Sequence, residues 1–191
     1  REWWEKAWSF KDHGKSWDAV YRRQHPPGFR WLHEAFGTNW RLTEIQAAIG
    51  RIQLERMPGW HATRTLHAGA IRATARTLPA LRVPAVPEDI IHAWYKCYLF
   101  VRPERLRSGW GRDRILEEIN RRGVPCYTGI CPEVYLEKAF EHMDCRPAER
   151  LTVARELGKT GLMFLVHPTL RREEIEKTCH VLAEVVESAS S

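Results

Sequence analysis

Between Trp94 and Ser188 the hydrophobic period switches repeatedly between that of a strand and that of a helix. This alternation restricts the fold more than any other feature. Trp94–Pro103 is rich in aromatic and β-branched residues and predicts a strand. Asp113–Gly123 predicts a helix, with an acid near its start and glycine past its end. Val124–Ile130 predicts a short strand leading into a loop. Pro147–Gly158 predicts a helix with proline in its first turn, and Leu162–Val166 a buried strand. Thr169–Ser188 predicts an amphipathic helix carrying Ile175, Cys179, Leu182 and Val186 on one face. Strands and helices in such alternation define an α/β unit around a small sheet.

Upstream the pattern differs. From Thr43 an apolar stripe of Ile45, Ala48, Ile49 and Ile52 has helical spacing. Ala47, Ala48 and Gly50 keep that surface thin enough for another backbone to approach. Pro58-Gly59 predicts a break or kink, with a second helical stretch over Trp60–Thr77. Pro79, Pro84 and Pro87 then impose an extended connector. Residues Arg1–Phe36 hold five of the nine tryptophans, a turn at Asp12–Ser16 and a break at His25–Gly28. Aromatic-rich, turn-rich chain without a period is expected to pack against another domain or subunit.

With 43% hydrophobic residues the chain can bury a real core. Its formal net charge of +6 favours anionic partners. Acids and bases nevertheless interleave in Arg112–Arg122 and Arg171–Lys177, as on solvated helix faces. A small anion held at one place is therefore expected, and no nucleic-acid track. No apolar run approaches the ~20 residues that span a bilayer, and the N-terminus lacks a signal-peptide pattern. A cytoplasmic chain without a membrane partner is the expectation. The first residue is Arg1 rather than methionine, which suggests a longer parent chain.

The cysteines are odd in number, five, which argues against a disulfide framework. Cys126, Cys131, His142 and Cys145 are ligand types that suit zinc. Their spacing, Cys-x4-Cys and His-x2-Cys, departs from that of structural zinc sites, so free thiols and no metal are expected.

The densest polar apparatus lies at Gly37–Gly50, GTNWRLTEIQAAIG. Thr43 and Gln46 form a capping box. Asn39 and Arg41 are strong donors just ahead of the helix's positive end, a place suited to an anion. The bland alternative makes Asn39 a turn residue and pairs Arg41 with a nearby acid.

Taken in order, KDHG at Lys11–Gly14, Gly37–Leu54, His92–Val101, Arg121–Tyr127 and Leu162–Lys177 resemble the C-terminal half of the DegT/DnrJ/StrS-type nucleotide-sugar aminotransferases. The longest match is Gly-x-Asn-x-Arg followed by Ala-Ala-x-Gly-x-x-Gln-Leu. Gly37, Asn39, Arg41, Ala47, Ala48, Gly50, Gln53 and Leu54 fill every position. The resemblance implies a pyridoxal-phosphate (PLP) enzyme of the aspartate-aminotransferase fold. Residues 1–38 would be the tail of its large domain, and 39–191 its small α/β domain with a long kinked helix. It implies a homodimer in which Asn39 reaches the phosphate of the neighbouring subunit's PLP, with Arg41 beside the same anion. Tyr127 and Cys126 stand where relatives carry nucleotide-sugar contacts, although Cys126 and Cys131 replace the histidines common there. His13 runs behind the catalytic region, as a turn-stabilising residue or a contact.

In that family the Schiff-base lysine is followed by Gly-Glu-Gly-Gly, and none of the seven lysines here has that neighbour. The chain is thus expected to begin after that lysine and to be inactive alone. The complete enzyme would move an amino group, from glutamate, onto a nucleotide-linked keto-sugar for surface-polysaccharide or related amino-sugar biosynthesis. Two alternatives stay open. One is a PLP-dependent sugar dehydratase of the same family; the other is a non-catalytic α/β module binding phosphate or a partner protein.

Overall fold

The computed structural model describes residues 1–28, 30–144 and 146–191. They divide into two compact units, Arg1–Glu55 and Arg56–Ser191. This division reflects packing, whereas the expected boundary at 38/39 concerns parentage in a longer chain.

In the first unit, α1 (Glu2–Lys11) and α2 (Trp17–Tyr21) occupy a stretch whose sequence suggested no regular structure. α1 buries no residue; it sets Trp4 and Trp8 against Trp17 and carries exposed i,i+4 pairs, Arg1 with Glu5 and Lys6 with Glu2. Such pairs leave no apolar period to read. Between the helices Lys15 N–H donates to Asp12 O at 3.1 Å. The two central residues of that turn, His13 and Gly14, have positive φ of 60° and 84°, the pattern of a type I′ turn. A Cβ on Gly14 would lie 1.7 Å from Ala35 O, so this position admits glycine alone.

The turn is gripped on both sides. Ser16 N–H donates to Leu32 O (2.8 Å) and Glu34 N–H to Gly14 O (2.9 Å). Opposite, His13 N–H donates to Thr38 O (3.0 Å), Thr38 N–H to Phe10 O (2.7 Å) and Trp40 N–H to Lys11 O (2.9 Å). Trp4, Trp8 and Tyr21 gather around Trp17, and Phe10 meets Trp40 edge-on.

The capping box forms as expected. Thr43 N–H donates to Gln46 Oε1 (3.0 Å) and Gln46 N–H to Thr43 Oγ1 (3.3 Å). It opens α3, Glu44–Arg76. Pro58 does not end this helix, which runs continuously through it to Arg76. Proline removes one i→i−4 bond, and the turns on either side keep theirs.

In the second unit α3 buries Ala68, Ile71, Arg72 and Ala75, one face at helical spacing. The sheet contains β1 (Leu81–Arg82), β2 (Cys97–Val101), β3 (Cys126–Tyr127) and β4 (Gly161–Phe164) in the order β1-β2-β4-β3. Every pairing is antiparallel, with Leu99 opposite Leu162 and Cys126 opposite Phe164. α4 (Arg112–Arg121) brings Ile115 and Ile119, and α6 (Arg172–Ala189) brings Leu182, Val185 and Val186. These pack with Leu99, Leu162 and Phe164 into one core. Each such side chain contributes about 1.5–3 kcal/mol on burial.

α5 spans Thr152–Thr160, so the helix expected at Pro147–Gly158 starts later and runs past the glycine. Its start is set by tertiary contacts. Arg150 Nε donates to Glu133 Oε1 (2.9 Å) and Leu151 N–H to Tyr135 Oη (2.9 Å), which hold the chain extended up to Leu151. At its other end Arg112 Nη1 donates to Gly158 O (3.1 Å) and Gly161 O (3.0 Å), satisfying carbonyls at the helix C-terminus.

Candidate functional site

Asn39 is exposed, yet its backbone is fixed. It forms an antiparallel bridge with Asp12, flanked by the bonds from His13 and Trp40. A side chain on such a clamped backbone loses little further freedom when it binds, which favours affinity. Asn39 Oδ1 accepts two long bonds from Arg41, from its N–H (3.4 Å) and its Nε (3.5 Å). The amide NH2 donates to no other described residue and stays available as a donor.

Arg41 Nε also lies 3.5 Å from Asp12 Oδ1, and Lys15 Nζ lies 3.4 Å from the same oxygen. One buried carboxylate thus faces two cations. Asp12 thereby holds Arg41, and half of the Arg41 side chain remains open to solvent. The arrangement therefore combines both alternatives left by the sequence: Arg41 pairs with an acid and still presents donors. Three residues on, α3 begins with its positive end. Donors ahead of a helix N-terminus are the chemistry that anion sites use. His13 is exposed at the left-handed corner of the turn, beside Asp12.

Tyr127 and Cys126 belong to the other unit and lie on opposite faces of β3. Tyr127 is 48% exposed. Cys126 is buried in the core, and burial pushes its thiol up to about 12. It therefore stays protonated near neutrality and packs with the core of this unit. Cys97, Cys126, Cys131 and Cys179 are free thiols. Cys145 lies outside the described residues. Among the described residues no group of three or more His, Cys, Asp or Glu is placed to hold a metal ion.

The sequence reading missed the residue that sets Tyr127. Asn120 Oδ1 accepts from Cys126 N–H (3.2 Å), and its Nδ2 donates to Cys126 O (2.8 Å) and Leu116 O (2.9 Å). One amide thus ties the edge strand β3 to α4. Asn two residues before Arg-Gly past a helix end was the available signal, and it was read as solvated surface. Arg112 was read the same way, although only 13% of its side chain is exposed.

The second unit thus holds a four-stranded antiparallel sheet with helices, and the first a glycine-locked turn that presents Asn39 and Arg41. An aminotransferase from Psychrobacter cryohalolentis is 51% identical with a TM-score of 0.87, covering 97% of this chain and 49% of that one. NtdA from Bacillus subtilis, solved with bound cofactor PMP, shares the fold at 20% identity with a TM-score of 0.77, covering 98% of this chain and 40% of that one. The chain belongs to the DegT/DnrJ/EryC1/StrS aminotransferase family, whose model matches residues 1–183. Among curated relatives, EryC1 of Saccharopolyspora erythraea is 30% identical over 154 residues, 81% of this chain and 39% of that protein. The dTDP-3-amino-3,4,6-trideoxy-alpha-D-glucose transaminase of Streptomyces venezuelae is 28% identical over 159 residues, 83% of this chain and 39% of that one. The chain thus spans well under two thirds of its relatives' length. Among the described residues no helix is long and apolar enough to cross a membrane.

Proposed function

We propose that this chain forms the phosphate-gripping and substrate-facing portion of a PLP-dependent sugar aminotransferase. The observation that carries the reading is the complete Gly37-x-Asn39-x-Arg41 motif, clamped so that the Asn39 amide NH2 donates to no other described residue and lies beside a half-exposed guanidinium. Those groups fit a cofactor phosphate by their chemistry: an amide donor, a guanidinium and, three residues on, a helix N-terminus. When bound, PLP supplies the electron sink that allows an amino group to leave a donor such as glutamate and join a keto-sugar.

In this reading residues 1–38 continue a large cofactor-binding domain and 39–191 form the small domain. Asn39 Nδ2 donates to a phosphate oxygen, and Arg41 balances the phosphate or the diphosphate of a nucleotide sugar. Tyr127, set by Asn120, offers its hydroxyl to a sugar or phosphate oxygen. His13 holds the turn from which Asn39 hangs. The Schiff-base lysine and the acid at the pyridinium nitrogen match no motif of these residues, so the chain alone carries no transamination. A cytoplasmic homodimer is part of the proposal, with each Asn39 serving the partner's cofactor. The exposed Ile45, Ile49 and Ile52 support an apolar contact there.

The test uses the full-length enzyme. Asn39→Ala removes a hydrogen bond to a charged group, about 1.5–3 kcal/mol, so PLP should bind roughly tenfold to a hundredfold more weakly with the fold intact. Mixed dimers of an Asn39→Ala chain with a Schiff-base-lysine variant should regain activity, because one site then receives an intact residue from each chain. Unchanged PLP affinity in Asn39→Ala would defeat the assignment. Mixed dimers without recovered activity would defeat its cross-subunit form.

A further inference from the structure

Arg72 is a buried cation without an anion. It is 7% exposed, on the same face of α3 as the core residues Ala68, Ile71 and Ala75. Among the described residues its guanidinium meets no carboxylate and no hydrogen-bond acceptor; it lies over the Trp94 ring, 4.9 Å from the centroid. Burial first, and then neighbouring Arg76, push its pKa down. Cys97 could balance the charge only as a thiolate, and burial pushes that thiol up to about 12, so near neutrality it carries no charge. A guanidinium still stays protonated in such a place. Among the described residues only His67 Nδ1 is a buried side-chain polar atom without a partner, so the Arg72 nitrogens still reach an open cleft, where an anion can replace water and pair with them.

Arg72 opens onto a cleft of about 350 Å³ that no Asp or Glu lines. Pro84, Val86, Trp94 and Ile130 give it apolar walls, and His92 and Lys96 also line it. His92 Nδ1 accepts from Trp94 N–H at 2.9 Å, which puts the proton of the neutral ring on Nε2 as a further donor. Trp94 itself sits at φ 47°, a costly conformation for so large a residue. It is kept there by other contacts. Arg64 Nη1 donates to the carbonyls of Trp94 (3.2 Å) and Tyr95 (3.1 Å), and His92 stacks on Trp94 with centroids 4.1 Å apart. Strain held in place by several contacts is a feature of ligand clamps.

We propose that this cleft binds a small organic carboxylate, its COO⁻ group paired with Arg72 and its apolar body lying against Val86, Trp94 and Ile130. One buried cation matches one negative charge. A phosphate would bring more charge than the apolar walls can accept. By volume the cleft holds about twelve non-hydrogen atoms, taking ~30 Å³ for each. This site uses none of the residues of the Asn39 site and stands independently of that reading.

Benzoate is the probe. Calorimetric titration of the 191-residue chain should show saturable one-to-one binding. Benzamide, of the same shape without the charge, should bind at least tenfold more weakly, and inorganic phosphate should not displace benzoate at equal concentration. Arg72→Met, which keeps the apolar stem, should weaken benzoate at least tenfold. In the unaltered chain the Arg72 Nε–H resonance should shift as benzoate is added, a readout that needs no variant to fold. The proposal is overturned by no saturable benzoate binding, by equal binding of benzamide, by displacement with phosphate, or by an Arg72 resonance that does not move.

Discussion

The two units of the chain are ordered by different forces. The second, Arg56–Ser191, closes on its own apolar interior, with Leu99, Ile115, Leu162, Phe164 and Leu182 fully buried. The first, Arg1–Glu55, buries only two apolar side chains, Ala19 and Leu32, among its described residues. It leaves Trp3 83% exposed and Ile45 76% exposed. It is held instead by a backbone ladder around one glycine turn and by edge-on aromatic contacts. Burial is proportional to area and insensitive to direction, whereas a ladder depends on each backbone angle. The first unit is therefore the part that can place Asn39 accurately, and also the part that needs another surface to cover it.

This contrast breaks most visibly in the core. Phe164→Ala should cost about 3–5 kcal/mol and lower the denaturation midpoint of the second unit. Trp3→Ala, equally large on paper, should change stability by no more than about 0.5 kcal/mol, because nothing is uncovered by its loss. Denaturant titration of the two variants measures both. A large loss from Trp3→Ala would mean that the first unit has a core of its own.

The reverse experiment disturbs the ladder and spares the core. Gly14→Ala must place a Cβ 1.7 Å from Ala35 O and adopt φ near +84°. The dihedral alone costs about 1–3 kcal/mol, and the clash adds to it. Hydrogen exchange should accelerate at the His13, Thr38 and Trp40 amides, while those of β2 and β4 keep their protection. Faster exchange in the sheet would show that the units share one cooperative transition.

What could be read in advance follows the same division. The sheet and the helices of the second unit were legible because burial writes a period into the chain. Ile115 and Ile119, or Ile175 and Leu182, repeat at the spacing of the face they bury. The capping box was legible because it is local. α1 was not, since it buries no residue and sets Trp4 and Trp8 against Trp17, which leaves no apolar period to mark it. The start of α5 was not, because a residue 17 positions away, Glu133, decides it through Arg150. In the site, Asn39 and Arg41 stood out as donors ahead of a helix. Their shared dependence on Asp12 did not, and neither did the grip of Asn120 on β3. Arg72 was invisible because a charged residue on a helix reads as solvated surface until the fold buries it.

The smallest effect concerns the loop that the sequence misjudged. Glu133 is held down to about 2, first by the bond from Arg150 and then by Tyr135, from an ordinary value of 4.5. A carboxylate whose folded pKa is depressed binds fewer protons than its unfolded form in between. Its stabilisation is therefore complete above about 4.5 and is lost as pH falls from there towards 2. Arg150 is half exposed, so water and salt screen the pair and the effect on global stability is small. It should instead appear locally, in the Leu151 amide that Tyr135 holds. Between pH 5 and about pH 3, below the ordinary glutamate value, that amide should lose protection relative to β4, after correction for the intrinsic exchange rate. Arg150→Ala should flatten this pH dependence, because Glu133 would then titrate near its ordinary value in both states. An Arg150→Ala chain that keeps the full pH dependence at Leu151 would show that the clasp does not set the start of α5.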